Sequence, residues 1–289
     1  MSLLGVDVGG TTVKARLSDA AGRSLGEWRY ATPRDDASGQ VTVELVAELL
    51  GRASAIASVR SIGVVVPGIV DEEMGLCLRA VNLGWQNLPL AELLRERILT
   101  PLAFGQDVRA GALAESISGA ATGHQGTFAF VPIGTGLASA IGTNGKIASR
   151  QEWPGEIGQL VIESGPHTGR RVEEIASASG IARAAGAPDA KVVAQRVRAG
   201  DSIAITVWND AIEILSESIA SIVTNTDAAL VVVGGGLAEA GELLLEPLAH
   251  AIRERLPEGP SVELRPAAHG DSAAIIGATE LARQISPAS

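Results

Sequence analysis

The chain has 289 residues, a net charge of -10, 46% hydrophobic residues and 19% charged ones. That length suits two packed lobes of ordinary size, and the composition is that of a globular protein with cores to fill. So acidic a chain is poorly suited to wrapping nucleic acid or lying on an anionic membrane. A phosphorylated small substrate is compatible with it, because glycine loops and Mg²⁺ meet phosphate charge locally.

Other whole classes drop out on simple chemistry. Cys77 is the only cysteine, so no disulfide forms within the chain and a reducing cytoplasm is the expected compartment. Asp7, Lys14, Arg16 and Asp19 interrupt any secretory apolar stretch in residues 1–20. Apolar runs such as 230–233 suit a short strand and fall far short of a membrane span. His124, His167, His250 and His269 are scattered, without metal-ligand spacing.

In chain order, "LLGVDV" reads as a buried strand. "TTVKARLSD" follows as a second strand, alternating at Val13, Ala15 and Leu17, and "RSLGEWRYA" is a third after the turn "DAAG". The three predict an antiparallel meander. "VTVELVAELLGRASAIA" has helical spacing, with Val43, Val46, Ala47 and Leu50 on one face. "SIGVVV" is an apolar strand ending at Pro67-Gly68. A helix around 88–98 leads to the strand "LAFG", and "DVRAGALAESISGA" is a helix with Asp107 expected at its N-cap.

The second half starts again with the strand "GTFAFVPI", the turn "GTG", and "LASAIGTNGKIAS" with an Asn-Gly hairpin. Helices follow across 173–224. Then come the strand "AALVVV", the turn "GGG", the helix "GELLLEPLAHAIRERL", the strand "SVELRPA" and the closing helix "SAAIIGATELARQI". Strand, glycine turn, strand thus occurs at 3–18 and again at 127–142. That weak internal repeat predicts two related α/β lobes with a cleft between them.

Turns of small residues present backbone N–H groups that phosphate oxygens need. In "DVGGTT", Asp7 suits a Mg²⁺-bound water, and Gly9, Gly10, Thr11 and Thr12 suit a phosphoryl group. Gly134, Thr135 and Gly136 in "IGTG" suit the same task. Gly234, Gly235 and Gly236 follow a buried strand and precede a helix, where a nucleotide commonly lies. A lone glycine turn is more often structural, serving positive φ, and no Gly-Lys-Ser/Thr P-loop is present. Three such turns, two of them in a repeat, outweigh that.

The segments "GVDVGGTTVKARLSDAAG", "VVVPGIVDEEMG", "AVNLGWQNLPL", "GQDVRAGALAE", "IGTGLASAI", "PGEIGQLVI", "VEEIASASGI" and "VVVGGGLAEAG" follow one another in the order seen in ROK-family sugar kinases. The chain resembles that family from Gly5 to about Gln284. The resemblance implies a two-lobed actin-like ATPase fold, ribonuclease H-like, with internal duplication and an interlobe cleft. It implies an N-terminal lobe at 1–105, joined by the closing helix 272–285, and a C-terminal lobe at 106–271. It further implies ATP with Mg²⁺ as phosphoryl donor, a hexose or hexose derivative as acceptor, a cytoplasmic homodimer, and neither nucleic-acid nor membrane partners. The helix-turn-helix of the family's repressors is not expected ahead of the first strand.

By the same resemblance Asp107 is the catalytic base, a role suited to a carboxylate that accepts a sugar hydroxyl's proton. Gly68, Asn82, Gln106, Glu156, Gln159 and Glu173 join it in the sugar site, with Glu174 the neighbour if the alignment slips by one. Two positions depart from the family. Gln106 stands where the family usually has Asn, and Gln159 where it has the His of Glu-x-Gly-His. That His and three cysteines hold a structural zinc in many members. Here the cysteine positions fall near Ser164, Pro166 and Arg171, so no zinc is expected. His167 in that loop is expected to be solvated. Two alternatives stand beside the kinase: a sugar-binding sensor weak in catalysis, and a glucokinase that uses polyphosphate.

Overall fold

β1 (Ser2–Val8) is buried at every position, as an apolar run covered on both faces must be. In the computed structural model, which describes residues 2–148 and 155–286, β1 pairs antiparallel with β2 (Thr12–Asp19), and β2 with β3 (Ser24–Ala31). In β2 the predicted alternation holds, since Val13, Ala15 and Leu17 are buried. α1 (Gln40–Ile56) crosses to β4 (Val59–Val66), which lies parallel to β1. α1 buries Thr42, Val43, Val46, Leu49 and Ala53. Leu49 thus takes the core place expected of Leu50, a small rotation of the predicted apolar stripe. Asp36 caps the helix by accepting from the N–H groups of Val41 and Thr42 at 3.1 and 2.8 Å.

Next comes a sheet that the periodicity did not predict: β5 (Ile69–Asp71), β6 (Leu76–Ala80) and β7 (Trp85–Leu88), all antiparallel. Trp85 is buried and donates its indole N–H to the Asp36 carbonyl at 2.7 Å. Cys77 of β6 is fully buried. α2 (Leu90–Arg97) then leads to β8 (Leu102–Gln106), parallel to β4, and α3 (Asp107–Ser118) follows directly. The five-stranded order is β3-β2-β1-β4-β8.

A second sheet follows the same plan. β9 (Thr127–Pro132), β10 (Ala140–Thr143) and β11 (Lys146–Ile147) form the meander. Asn144 and Gly145 both have positive φ, 50° and 77°, as a two-residue type I′ hairpin requires. α4 (Val172–Ala176), α5 (Ala178–Ala184), α6 (Ala190–Arg198) and α7 (Ser202–Thr226) come next. β12 (Ala228–Gly234) pairs parallel with β9, α8 (Glu242–Arg255) follows, and β13 (Glu263–Pro266) pairs parallel with β12. The order β11-β10-β9-β12-β13 repeats that of the first sheet strand for strand.

Among the described residues, 2–114 and 272–286 form one compact unit, and 115–148 with 155–271 form the other. The division falls inside α3. Each unit has its own apolar core. No helix among the described residues is long and apolar enough to cross a membrane.

α9 (Ala273–Ile285) returns to the first unit and lies across β1, β4 and β8. It can do so because Gly5 and Gly63, side by side in register, offer no side chain. A Cβ on Gly63 would run into the carbonyl of Ala278. One on Gly5 would sit 2.9 Å from the Thr279 nitrogen. Ser61 Oγ donates to the Ala282 carbonyl at 2.8 Å and fixes the helix along the strand. Gly63→Val therefore costs about 3 kcal/mol by overpacking. Gly51→Ala, in an open position of α1, stabilises by about 1 kcal/mol. Urea unfolding of both variants checks this pair of opposite signs.

Candidate active site

The carboxyl ends of β1, β4 and β8 share one edge of the first sheet, because the three strands are parallel. Asp7, the turn 9–12, Gly68, Gln106 and Asp107 all sit at or just beyond those ends. Asp7 is buried, and Lys14 Nζ lies 3.9 Å from its Oδ2. The Gly9 N–H donates to the Thr12 carbonyl at 3.0 Å and closes the turn. Neither Gly9 nor Gly10 has positive φ, so backbone conformation does not explain them. Close approach does: a Cβ on Gly10 would stand 3.2 Å from the Asn82 Cβ. The turn and Asn82 are thereby brought together. Thr32, which the sequence reading missed, staples the turn from β3's far end. Its Oγ1 donates to the Gly9 carbonyl at 2.7 Å, and its N–H to the Thr11 carbonyl at 3.1 Å. A cavity of about 610 Å³ opens here, bounded by Gly10, Thr11, residues 31–37 and residues 82–84. Gly68 has φ 92° and presses on the Arg79 carbonyl of β6, where no side chain fits.

Asp107 is the first residue of α3, and its Oδ1 accepts from the Val108 N–H at 2.8 Å. The cap expected of Asp107 is made by its neighbour. Gln106 Oε1 accepts from the Arg109 N–H at 2.8 Å, which satisfies one of the donors a helix start leaves over. That hydrogen bond occupies the carbonyl end of the Gln106 amide and leaves its Nε2 as the end to offer a ligand.

A charge pair holds this helix start from below. Glu72 Oε1 accepts from the Gln106 N–H and from Arg109 Nε, both at 2.8 Å. Arg109 also donates to the Val70 carbonyl at 2.9 Å. The two side chains are 19% and 9% exposed, so the pair is well shielded from water. Glu72 and Arg109 are therefore positioning residues for the turn that carries Asp107, and neither was singled out in the sequence.

In the second unit the ends of β9 and β12 lie side by side. The Ile133 N–H donates to the Gly234 carbonyl at 2.9 Å, and the Leu237 N–H to the Ile133 carbonyl at 3.1 Å. Gly235, at φ 73°, lies so close to Ile133 that a Cβ would meet its backbone. The turn 134–136 and the turn 234–236 thus form one glycine-lined edge. Thr135 and Gly136 are exposed, and a Cβ on Gly134 or Gly236 would meet open space. Glu173 reaches the same edge from α4, its Oε2 3.4 Å from where a Gly136 Cβ would stand. The turn holding Glu156 and Gln159 is tied in through the Gly158 N–H, which donates to the Leu137 carbonyl at 3.1 Å.

Arg171 gathers the polar groups of this edge. Its Nη1 donates to Gln159 Oε1 at 2.9 Å and lies 3.0 Å from Glu173 Oε1. Its Nε reaches Glu174 Oε1 at 3.3 Å. Burial alone would raise the Glu174 carboxyl, but hydrogen bonds to Arg171 and the charges of Arg171 and Arg170 hold it below the usual range. His167 is not simply solvated as expected. It is half-buried, and its Nε2 lies 3.0 Å from Asp210 Oδ2 on α7. Among the described residues, no three His, Cys, Asp or Glu side chains group as metal ligands.

A double-mutant cycle tests the Glu72–Arg109 pair. Glu72→Gln and Arg109→Met each leave a shielded charge without its partner, a loss of about 3 kcal/mol. Removing both loses less than the sum of the two, by at least about 1 kcal/mol. Unfolding free energies of the three variants give the coupling.

Comparison with known proteins bears on the whole length. A family model described as ROK family matches residues 3–285. A glucokinase of Halalkalibacterium halodurans is 31% identical over 97% of this chain and 94% of its own. An N-acetylmannosamine kinase of Escherichia fergusonii is also 31% identical, over 98% and 99%. Among solved structures, a Streptomyces griseus ROK glucokinase in complex with glucose and AMPPNP superposes with a TM-score of 0.84 at 26% identity, over 98% and 100%.

Proposed function

The chain belongs to the ROK family and is an ATP-dependent sugar kinase; we propose that it moves the terminal phosphoryl group of Mg²⁺-bound ATP to a hydroxyl of a hexose or hexose derivative, with Asp107 as the base. The observation that carries this reading is the pairing of sheet edge and chemistry. Each unit ends its parallel strands in a glycine turn, and the edge of the first unit also presents a carboxylate at a helix start.

In this reading Asp107 accepts the proton of the attacking hydroxyl, the new oxygen–phosphorus bond forms, and ADP leaves. Gly68, Asn82, Gln106, Glu156, Gln159 and Glu173 hold the sugar. The turns 9–12 and 134–136 meet phosphate oxygens through backbone N–H groups, and residues 234–236 lie by the adenosine end. Mg²⁺ would arrive with ATP and would supply charge neutralisation at the phosphates. Asp7, a buried oxygen donor next to the first turn, would hold a water bound to that cation, which keeps several of its waters in such sites.

Two sugar classes are candidates, because a glucokinase and an N-acetylmannosamine kinase are each 31% identical to the chain. Gln106 and Gln159, whose amides are longer or differently placed than the family's usual Asn and His, shape that choice. A site built on hydrogen bonds to particular hydroxyls discriminates strongly.

The test is ADP release with Mg-ATP over glucose, N-acetylmannosamine, N-acetylglucosamine and fructose, with polyphosphate as a second donor. Turnover on one sugar is expected, with kcat in Asp107→Asn lower by about a thousandfold. Sugar binding seen by calorimetry without ADP release would replace the kinase by a sensor. Turnover with polyphosphate alone would change the donor.

A further inference from the structure

The loop that carries zinc in many ROK kinases is built differently in this chain. The resemblance places the four ligand positions at Gln159 and near Ser164, Pro166 and Arg171. None supplies a thiolate or an imidazole, and the last carries a fixed positive charge, so the residues present do not fit the metal. The loop is nevertheless closed. The Ile162 N–H donates to the Arg170 carbonyl at 2.8 Å, Gly169 to Ile162 at 2.9 Å, and Val172 to Leu160 at 2.9 Å. Val161 and Arg171 face each other across this neck as an antiparallel bridge. His167 ties the tip to Asp210 of α7.

The neck aims one side chain at the ligand-binding groups. Arg171 Nη1 carries two hydrogens in a fixed plane. It donates to Gln159 Oε1 at 2.9 Å, and Glu173 Oε1 lies 3.0 Å from the same nitrogen as its ion-pair partner. We propose that Arg171 is a positioning residue for sugar recognition, a guanidinium that fixes Gln159 and Glu173 where related kinases use a metal. It rests on the sugar-kinase reading given above.

The geometry also sets which atoms the sugar meets. With Oε1 of Gln159 turned to Arg171, the Nε2 end is presented to the ligand, so Gln159 donates to a sugar oxygen. With Oε1 of Glu173 held, Oε2, the oxygen beside Gly136, accepts from a sugar hydroxyl. Arg171 is 46% exposed, and exposed ion pairs contribute little to global stability. Its effect is local order in two side chains and in the neck that bears it.

Two readouts test this, and only one of them needs a sugar. In the wild type, amide exchange over residues 156–162 and 170–175 should be unchanged by EDTA or by added zinc. In Arg171→Met it should be faster by about fivefold there and unchanged in the core of α7. In the ADP-release assay, Arg171→Met should raise KM for the accepted sugar by about tenfold with kcat within about twofold, and Arg171→Lys should recover part of that loss. Exchange and KM both unchanged in Arg171→Met would overturn the proposal. So would faster wild-type exchange in EDTA, which would mean that a metal holds the neck, or a KM effect that Arg171→Lys does not relieve. If the wild type turns over no sugar, the kinase reading falls, and with it the recognition role. Faster exchange in Arg171→Met would then support the guanidinium as the tie of the neck alone.

Discussion

The central strand of each unit is paired along both edges and covered on its faces. β1 lies between β2 and β4, and β9 between β10 and β12. A strand so enclosed must spend its backbone N–H and C=O groups on its neighbours, since an unpaired one is costly away from water. Polar backbone can therefore be offered to a ligand only where the strands end. The parallel pairs β1–β4 and β9–β12 make the carboxyl ends coincide, and the chain turns there on residues without bulk. The placement of the two glycine turns follows from the topology: the same plan, used twice, makes two such edges.

Polar side chains at those edges are held in two different ways. At the start of α3 the hold is a shielded ion pair, Glu72 with Arg109, which binds the Gln106 N–H just before Asp107 and ties the Arg109 side chain just after it to the Val70 carbonyl. Such a pair is a weak source of net stability, because desolvating both charges offsets their attraction. It defines one arrangement, since any other leaves a charge unpaired. In the second unit the hold is Arg171, half in solvent, whose hydrogen bonds are weakened by screening. The backbone at Asp107 is fixed firmly and the Gln159 amide more lightly.

What could be read from the residues alone was what repeats along the chain. The apolar strands, the meander that opens each unit, the Asn144-Gly145 hairpin and the glycine turns all carry local signals. The β5-β6-β7 sheet carried none, because its strands are three to five residues long and the acidic run "DEEM" interrupts them. Long-range polar pairs were equally silent. Glu72 and Arg109 lie 37 residues apart, and nothing in either neighbourhood announces the other. Glu115 reads as one more charged position on a helix, yet it is fully buried, accepting from the N–H groups of Ala120, Ala268 and His269. Gln106 was passed over as a cap because glutamine is not among the residues that favour that place.

Cys77 gives the first unit an internal clock. Burial pushes its thiol up to about 12, so at neutral pH almost none is thiolate, the form that alkylating reagents attack. It sits in the middle strand of the small sheet, fully enclosed. Modification must wait for that sheet to open, and its rate in excess reagent measures how often it does. Because the chain has no other thiol, the signal from the unaltered protein reports the breathing of one unit and is blind to the other.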